Sequence, residues 1–353
     1  MEYIDIKGYK SIKDLHFEIK PINVLIGANG AGKSNFISFF NFLKTAYDGE
    51  LKSYVVGRGI DTILHNGRKK TQNIFSEISF ERGKNKYEFN LKVENKTLVV
   101  QSEKIWSHNN QNAWEIADAS TELKARLHTR QRALNVKAYM SDLKVYHFHD
   151  TGVNSPFNND CNLIDNMVLQ SKGGNLAAVL YRLKNEEIII YNRIVKVIQS
   201  VAPNFKDFEF VTKEHIDYIN LTWRDRYSES LYGATDLSDG TIRFIALATL
   251  FLQPNPPAVI IIDEPELGLH PFAINKLAGL VKSISKRGTQ VILSTQSVEL
   301  VNNFAPNDIV TVDNVNGASI FKRLDEQQLS QWLEDYAIGD MWRQNLLNSG
   351  FPN

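Results

Sequence analysis

Residues 2–26 alternate apolar and polar positions and then become wholly apolar. YIDIKGY and LHFEIK read as half-exposed strands. INVLI, residues 22–26, reads as a strand buried on both faces, as in a parallel sheet. A Gly-rich turn follows, and SNFISFFNFLKT, residues 34–45, predicts a helix rich in aromatics. Residues 49–70 hold Gly49, Gly57, Gly59 and Gly67 and read as a loop. Alternation returns in IFSEISFER, KYEFNLKVE and TLVVQSEKIW. Breaks at residues 83–85 and 94–96 predict hairpin turns, hence an antiparallel meander outside any parallel sheet.

Residues 113–140 read as a helix and residues 143–148 as a short strand. Two helices follow at 176–184 and 187–200, the second ended by Pro203. Two alternating strands are expected at 205–211 and 215–223. The last block is regular. Residues 241–252 form an almost wholly apolar and therefore buried helix. A buried strand at 258–262, an amphipathic helix at 272–285, a strand at 290–294, a helix at 298–304 and strands at 308–313 and 319–324 complete it. Strands alternating with helices at this spacing predict a parallel α/β sheet. Residues 329–350 are apolar at helical spacings and predict a packed helical tail, with 339–342 as a turn between helices. The expected division is a lobe at 1–48, an insertion at 49–230, a second lobe at 231–323 and a helical tail at 324–353. Within the insertion the pattern expects a meander at 74–105, a basic helix at 113–140, a strand at 143–149, a helical part at 159–203 and strands at 205–223.

Composition narrows the classes. The 353 residues carry 40 Lys+Arg and 40 Asp+Glu, a balance that argues against a carpet-like nucleic-acid binder. One Cys excludes a disulfide framework and a Cys-based zinc site. Asp5, Lys7, Lys10, Lys13, Asp14, Glu18 and Lys20 interrupt the start of the chain, unlike a signal peptide. Apolar runs such as 258–262 are too short to span a bilayer. The expectation is a cytoplasmic protein without membrane contact.

Three motifs carry chemistry. Gly27-Ala28-Asn29-Gly30-Ala31-Gly32-Lys33-Ser34 fits G-x-x-x-x-G-K-S, with a buried strand before it and a helix after it. Its backbone N–H groups and the helix N-terminus would cradle phosphates, Lys33 would neutralise them and Ser34 would ligate Mg²⁺. Asp263 and Glu264 end a buried strand, at the sheet edge where open α/β sheets bind ligands. Asp263 would hold Mg²⁺, and Glu264 would act as general base toward water. Ser238-Asp239-Gly240 lies about 23 residues before Asp263. On its own it reads as an N-cap.

Together these motifs resemble those of the ABC-class ATPases of SMC, Rad50 and RecF type. More narrowly the chain resembles the compact AAA_21-type ATPases, related to the ATPase half of OLD proteins. The narrower likeness runs through Gly8-Tyr9-Lys10-Ser11-Ile12, the P-loop with Asn35, Tyr146-His147-Phe148-His149-Asp150-Thr151 and Gly174-Asn175-Leu176-Ala177. It continues through residues 237–244, Asp263-Glu264-Pro265-Glu266-Leu267-Gly268-Leu269-His270-Pro271 and Ser294-Thr295-Gln296-Ser297. The resemblance implies an α/β P-loop NTPase of ABC/SMC-head type, a mixed sheet with an antiparallel β-subdomain and an inserted, mainly helical region. It implies ATP and Mg²⁺ as cofactors. It also implies a homodimer with ATP sandwiched head to tail, stoichiometry beyond the dimer being open. Gly27, Asn29, Gly30, Ala31, Gly32, Lys33, Ser34 and Asn35 would hold the nucleotide in one chain. Ser238 and Gly240 would cap the γ-phosphate from the other, with Leu269 and His270 at the mate. Asp239 stands where Gly is common, so it would point away. Gln296 takes the place of a switch His and would sense the γ-phosphate without accepting a proton. His149 stands where relatives carry a glutamine, which makes it a further candidate toward Mg²⁺ or water.

Rival readings accompany these. His147 and His149 share one strand face and suggest a transition-metal site, but no third ligand is in view. From Glu122 to Lys144 there are six Lys/Arg and two acids. Lys124, Arg126, Arg130, Arg132 and Lys137, with Arg68, Lys69 and Lys70, suit either DNA phosphates or a solvated face. For the output, the leading reading is the ATPase component of an anti-phage defence or DNA-repair system acting on a separate nuclease or toxin. The alternative is an autonomous DNA-processing ATPase of RecF/OLD type. The short stretch after Leu324 leaves no expected room for a TOPRIM nuclease domain. The Glu266–His270 sequence and the insertion disfavour a transporter subunit, and the signature disfavours a kinase.

Overall fold

The computed structural model describes residues 1–81, 83–107, 110–211 and 217–347. It divides into two compact units. The first holds Met1–Val145, Ala258–Ile261 and Gln290–Asn353, and the second Tyr146–Pro257 and Ile262–Thr289.

Two sheets build the first unit. An antiparallel six-stranded sheet runs in the order Ile12–Glu18, Tyr3–Tyr9, Asn73–Phe80, Asn85–Glu94, Thr97–Ser107, Asn110–Ser120. The expected meander is there, and the opening hairpin is part of it. Strand Asn85–Glu94 alternates buried and half-exposed positions as the pattern requires. The other sheet is mixed, in the order Ala318–Arg323, Ile309–Val315, Ile22–Ile26, Gln290–Ser294, Val259–Asp263, Leu143–Tyr146. Ile22–Ile26 is buried at every position and pairs in parallel with both of its neighbours, as its double-faced apolarity predicts. Helix Lys33–Tyr47 buries Phe36, Phe39, Phe40 and Phe42 in the core of this unit. Tyr9 lies 5.0 Å from Phe39 and Phe17 4.8 Å from Phe36, ring centre to ring centre.

Two buried or half-buried carboxylates fix the connections around the meander. Glu103 is fully buried and accepts Tyr87 Oη at 2.7 Å, Lys124 N at 2.7 Å and Ala125 N at 3.0 Å. Burial, then that carboxylate, pushes the Tyr87 hydroxyl well above its ordinary pKa. Glu122 accepts Leu51 N and Lys52 N at 2.8 and 3.0 Å, and so caps helix Leu51–Arg58 from 70 residues away.

The second unit is mainly helical. Helix Asp239–Leu252 is buried from Ile242 to Leu252 and packs on helices Ile188–Val201 and Pro271–Lys286. A three-stranded sheet, Phe205–Phe208, Thr222–Asp225, Leu231–Gly233, is filled by stacked rings of Phe205, Trp223 and Tyr232. Asn175 is fully buried and organises the preceding loop, accepting Gln170 N and donating to the Asp165 and Val168 carbonyls.

Several expectations change. Residues 113–120 are not helical; they belong to strand Asn110–Ser120, where Trp114 and Ile116 share the face that meets the core. Their period is two, masked by the basic run that follows. The true helix is Gln131–Asp142. Residues 51–63 are not a loop. Leu51 and Val55 are buried one helical turn apart in Leu51–Arg58, which ends at Gly59 with φ 81° before helix Ile60–Ile63. The strands expected at 205–211 and 215–223 are shorter, and residues 215 and 216 lie outside the described residues. Residues 339–342 are not a turn. They lie in helix Ile338–Arg343, where Gly339 N donates to Asn302 Oδ1 at 2.7 Å. A Cβ on Gly339 would meet the Val298 carbonyl at 2.6 Å, which is why glycine stands there. No helix among the described residues is long and apolar enough to cross a membrane.

Glu103→Ala leaves the buried Tyr87 hydroxyl, the buried Ala125 N–H and the part-buried Lys124 N–H without their acceptor. It should destabilise by about 3 kcal/mol, read as a lower urea midpoint. Glu122→Ala removes a cap at a half-exposed position and should cost about 1 kcal/mol in the same titration.

Candidate nucleotide site

Strand Ile22–Ile26 ends in the loop, and helix Lys33–Tyr47 begins at its far end. The loop is pressed against neighbouring backbone. A Cβ on Gly27, whose φ is 151°, would overlap the Val312 carbonyl oxygen. One on Gly32, whose φ is 117°, would overlap Ser319 Oγ. Gly30, at φ 80°, faces open space, and Asn29 is exposed beside it. The glycines therefore serve two ends, close packing below and free backbone above.

A chain of hydroxyls supports this loop. Asn35 Nδ2 donates to Ser11 Oγ at 2.8 Å, Ser11 Oγ lies 2.7 Å from Ser319 Oγ, and Ser319 Oγ donates to the Ala31 carbonyl at 2.6 Å. Each hydroxyl has one hydrogen, so the bonds run in one direction from Asn35 to Ala31. Lys33 is 5% exposed, and its Nζ donates to the carbonyls of Gly27 at 2.7 Å and Ala28 at 3.0 Å. Its ammonium is thus held over the loop, while Ser34 at the helix start is exposed. A cavity of about 630 Å³ is lined by Lys10, Ser11, Asn35, Arg58, Thr62 and Leu64. Burial, then Arg58, pushes the Lys10 ammonium below its ordinary pKa.

Gln296 belongs to the same unit. Its strand, Gln290–Ser294, is the parallel neighbour of Ile22–Ile26, and Thr295 N donates to the Leu25 carbonyl at 3.0 Å. Parallel strands end at one edge, so Gln296 leaves the sheet where the phosphate loop does. It is exposed, and Ser297 behind it caps helix Val298–Val301.

The second unit holds the other candidates. Asp263 and Glu264 are half-exposed, and Glu264 has φ 44°, a left-handed backbone unusual for a side chain of its size. Ser238 and Asp239 are exposed at the start of helix Asp239–Leu252, where Ser238 Oγ accepts Thr241 N at 3.2 Å. The N-cap role is real, and it leaves the helix N-terminus facing outward. Gly240 packs on the loop after Glu264, since a Cβ there would overlap the Gly268 carbonyl oxygen. Strand Leu143–Tyr146 ends before His147 and His149, whose rings are 6.4 Å apart. Burial pushes the His147 imidazole below its usual pKa, against the opposing pull of Asp263. No group of three or more His, Cys, Asp or Glu able to hold a metal is found among the described residues. Ser34 in the first unit and Asp263 in the second each offer a hard oxygen, the donor type that magnesium prefers.

The basic cluster does not form one helix. Lys124 and Arg126 precede helix Gln131–Asp142. Arg126 is half-buried, and its guanidinium occupies the space a Cβ on Gly49 would need. Arg130 lies 4.7 Å over the Trp114 ring. Lys124, Arg130 and Lys137 are exposed, as are Lys69 and Lys70, while Arg68 pairs with Asp61 at 3.5 Å.

With this geometry in hand, comparison with known proteins is informative. The sequence model of the AAA_21 family, described as "AAA domain, putative AbiEii toxin, Type IV TA system", matches residues 22–302. The chain belongs to this family. EcfA of Methanocaldococcus jannaschii, an energy-coupling factor transporter ATP-binding protein, is 35% identical over 77 residues, 22% of this chain and 27% of its own. The Old nuclease of Escherichia phage P2 is 40% identical over 70 residues, 20% of this chain and 12% of its own. The AAA_21 chain thus spans well under two thirds of either relative. The crystal structure of the SmcHead bound to the C-winged helix domain of ScpA matches with a TM-score of 0.63 over 94% of this chain and 99% of that one, at 17% identity. The Smc head domain with an extended coiled coil, bound to the C-terminal domain of ScpA derived from Pyrococcus furiosus, matches at 0.58 over 95% and 98%, with 15% identity. At such identities the likeness is one of fold, the ABC/SMC-head type. This AAA_21 protein accordingly has the ABC/SMC-head fold and shares a stretch of sequence with the Old nuclease.

Sequence reading missed Ser319 and Ser11 as supports of the loop in the first unit, and Arg243 beside the Glu264 turn in the second. Arg243 left a visible trace, a lone charge in a helix otherwise apolar from Ile242 to Leu252. Ser319 left none, being one serine in a short strand. Gly32→Ala should weaken ATP binding at least tenfold while the protein still folds, measured by isothermal titration with thermal unfolding alongside. Ser319→Ala, which removes one link of the hydroxyl chain, should weaken it by only a few fold.

Proposed function

We propose that this AAA_21 protein binds and hydrolyses ATP and acts as a nucleotide-driven dimer switch governing a separate effector. The observation that carries the reading is the loop Gly27–Ser34, with Lys33 Nζ held by loop carbonyls. Phosphate oxygens are stronger acceptors for an ammonium than amide carbonyls, so Lys33 can turn to a β- or γ-phosphate. Gly27, Asn29, Gly30, Ala31, Gly32, Ser34 and Asn35 would take the phosphates, and the cavity at Lys10 and Arg58 would suit the nucleoside side.

Magnesium would neutralise the phosphate charge, with the Ser34 hydroxyl the candidate ligand in the first unit and the Asp263 carboxylate the candidate in the second. Glu264 orients and deprotonates water, and Gln296 senses the γ-phosphate. The outward N-terminus at Ser238 and Gly240 suits capping a phosphate of a second chain. ADP lacks that phosphate, so hydrolysis releases the cap. His149, half-exposed beside His147, is a secondary candidate toward the metal or water.

The family description names a type IV toxin–antitoxin system, which supports a defence setting with a nuclease- or toxin-type effector. The likeness to Old nuclease supports a link to nucleic acid. DNA contact would fall to exposed Lys69, Lys70, Lys124, Arg130 and Lys137, a scattered set that suits weak, ATP-dependent binding.

Glu264→Gln should lower turnover by about 10²–10⁴-fold while still binding ATP and accumulating as an ATP-bound dimer in size-exclusion chromatography. A Glu264→Gln protein that stays monomeric with ATP would count against the composite site. Lys33→Ala should lose ATP binding itself. Pull-down with the ATP-trapped Glu264→Gln protein separates the outputs. A co-purifying nuclease or toxin supports effector control, nucleic acid alone an autonomous DNA-processing ATPase, and a permease a transporter role.

A further inference from the structure

Arg243 lies one turn into the helix that starts at Ser238 and is 5% exposed among apolar neighbours. Its hydrogen bonds go to main-chain carbonyls of two other segments. Nε donates to the Phe148 carbonyl at 2.8 Å and Nη2 to the His149 carbonyl at 3.1 Å. Nη1 donates to the Leu267 carbonyl. Burial pushes its pKa below the ordinary arginine value, with Asp239 pulling the other way. A buried guanidinium is expensive, and Leu or Met would fill an apolar helix position at less cost. What the guanidinium supplies instead is a rigid planar fork that bonds three carbonyls at once.

Leu267 belongs to the turn that starts at Glu264. Leu267 N donates to the Glu264 carbonyl at 3.2 Å, and Leu269 N to the Glu266 carbonyl at 2.9 Å. Holding the Leu267 carbonyl therefore holds the turn whose first residue has φ 44°. Two glycines keep the assembly tight. Gly240 leaves room for the Gly268 carbonyl, and a Cβ on Gly268 would stand 2.7 Å from Arg243 Nη1.

We propose that Arg243 is a positioning residue, locking the helix that presents Ser238 and Gly240, the turn that carries Glu264 and the segment that carries His149 into one piece. This rests on the assignment of Glu264 as general base. Arg243 donates its hydrogen bonds to main-chain carbonyls and acts through the carboxylate it places. A displacement of about 1 Å at a reacting group can cost on the order of a hundredfold in rate.

The test compares Arg243→Met, which keeps the stem, with Arg243→Lys, which keeps the charge and loses the fork. Both are made in the wild-type and the Glu264→Gln backgrounds, with thermal unfolding as a check on folding. In the wild-type background each should lower kcat about 10- to 100-fold, with KM for ATP within about threefold. In the Glu264→Gln background either variant should change single-turnover hydrolysis by less than about twofold, because the group it positions is gone. Equal fold-losses in both backgrounds would overturn the proposal, as would a raised KM at unchanged kcat, since a merely structural role predicts those. If Arg243→Met does not fold, Arg243→Lys carries the same comparison. Failure of the general-base assignment shows separately, as a Glu264→Gln protein that turns over at the wild-type rate, and that result overturns both.

Discussion

The phosphate loop rests where the chain has no side chains. Gly27 lies against the Val312 backbone and Gly32 against Ser319, and a single carbon atom added at either would collide. This contact sets the height of the loop above the sheet, and with it the direction of its N–H groups and the place of Lys33. The hydroxyl chain from Asn35 through Ser11 and Ser319 to Ala31 then fixes what close packing alone would leave free to slide. Geometry here comes first and charge second. Lys33 is kept over the loop by two carbonyls, so the cation is in place before any phosphate competes for it.

The second unit solves a related problem with a charge in place of glycines. Arg243 is buried, and its Nε, Nη1 and Nη2 each donate to a carbonyl, of Phe148, Leu267 and His149 in turn. The left-handed backbone at Glu264 costs about 1–3 kcal/mol in a residue with a side chain. Such a conformation persists only when its surroundings over-determine it, and the Arg243 fork is one such determinant.

Much of this was legible in the sequence because its signals are local. The apolar strand Ile22–Ile26, the loop after it and the buried helix after Ser238 each announce themselves within a dozen residues. The failures also have physical causes. Strand Asn110–Ser120 carries its period-two signal on Trp114 and Ile116 only, too few positions to outweigh the basic helix beyond. Helix Leu51–Arg58 is short, lies among glycines and draws its cap from Glu122, so neither propensity nor a local cap marks it. Ser11 and Ser319 are 308 residues apart, and no local pattern can relate them. Arg243 was passed over as a lone charge in an almost wholly apolar helix, and the identity of its acceptors required the fold.

The position of strand Ile22–Ile26 has a consequence for the order of events in folding. Both of its sheet neighbours, Gln290–Ser294 and Ile309–Val315, come from the last quarter of the chain, and the Met1 amino group itself bonds to Gln290. The strand that carries the phosphate loop thus has no sheet partner until the chain has been made past Gln290. Closing loops of that length is slow, and contacts of such separation form after local ones. During synthesis the opening hairpin can wait in its own antiparallel sheet, while the phosphate loop gains its support among the last contacts. A loop supported in this way is shaped only after strands far along the chain have formed.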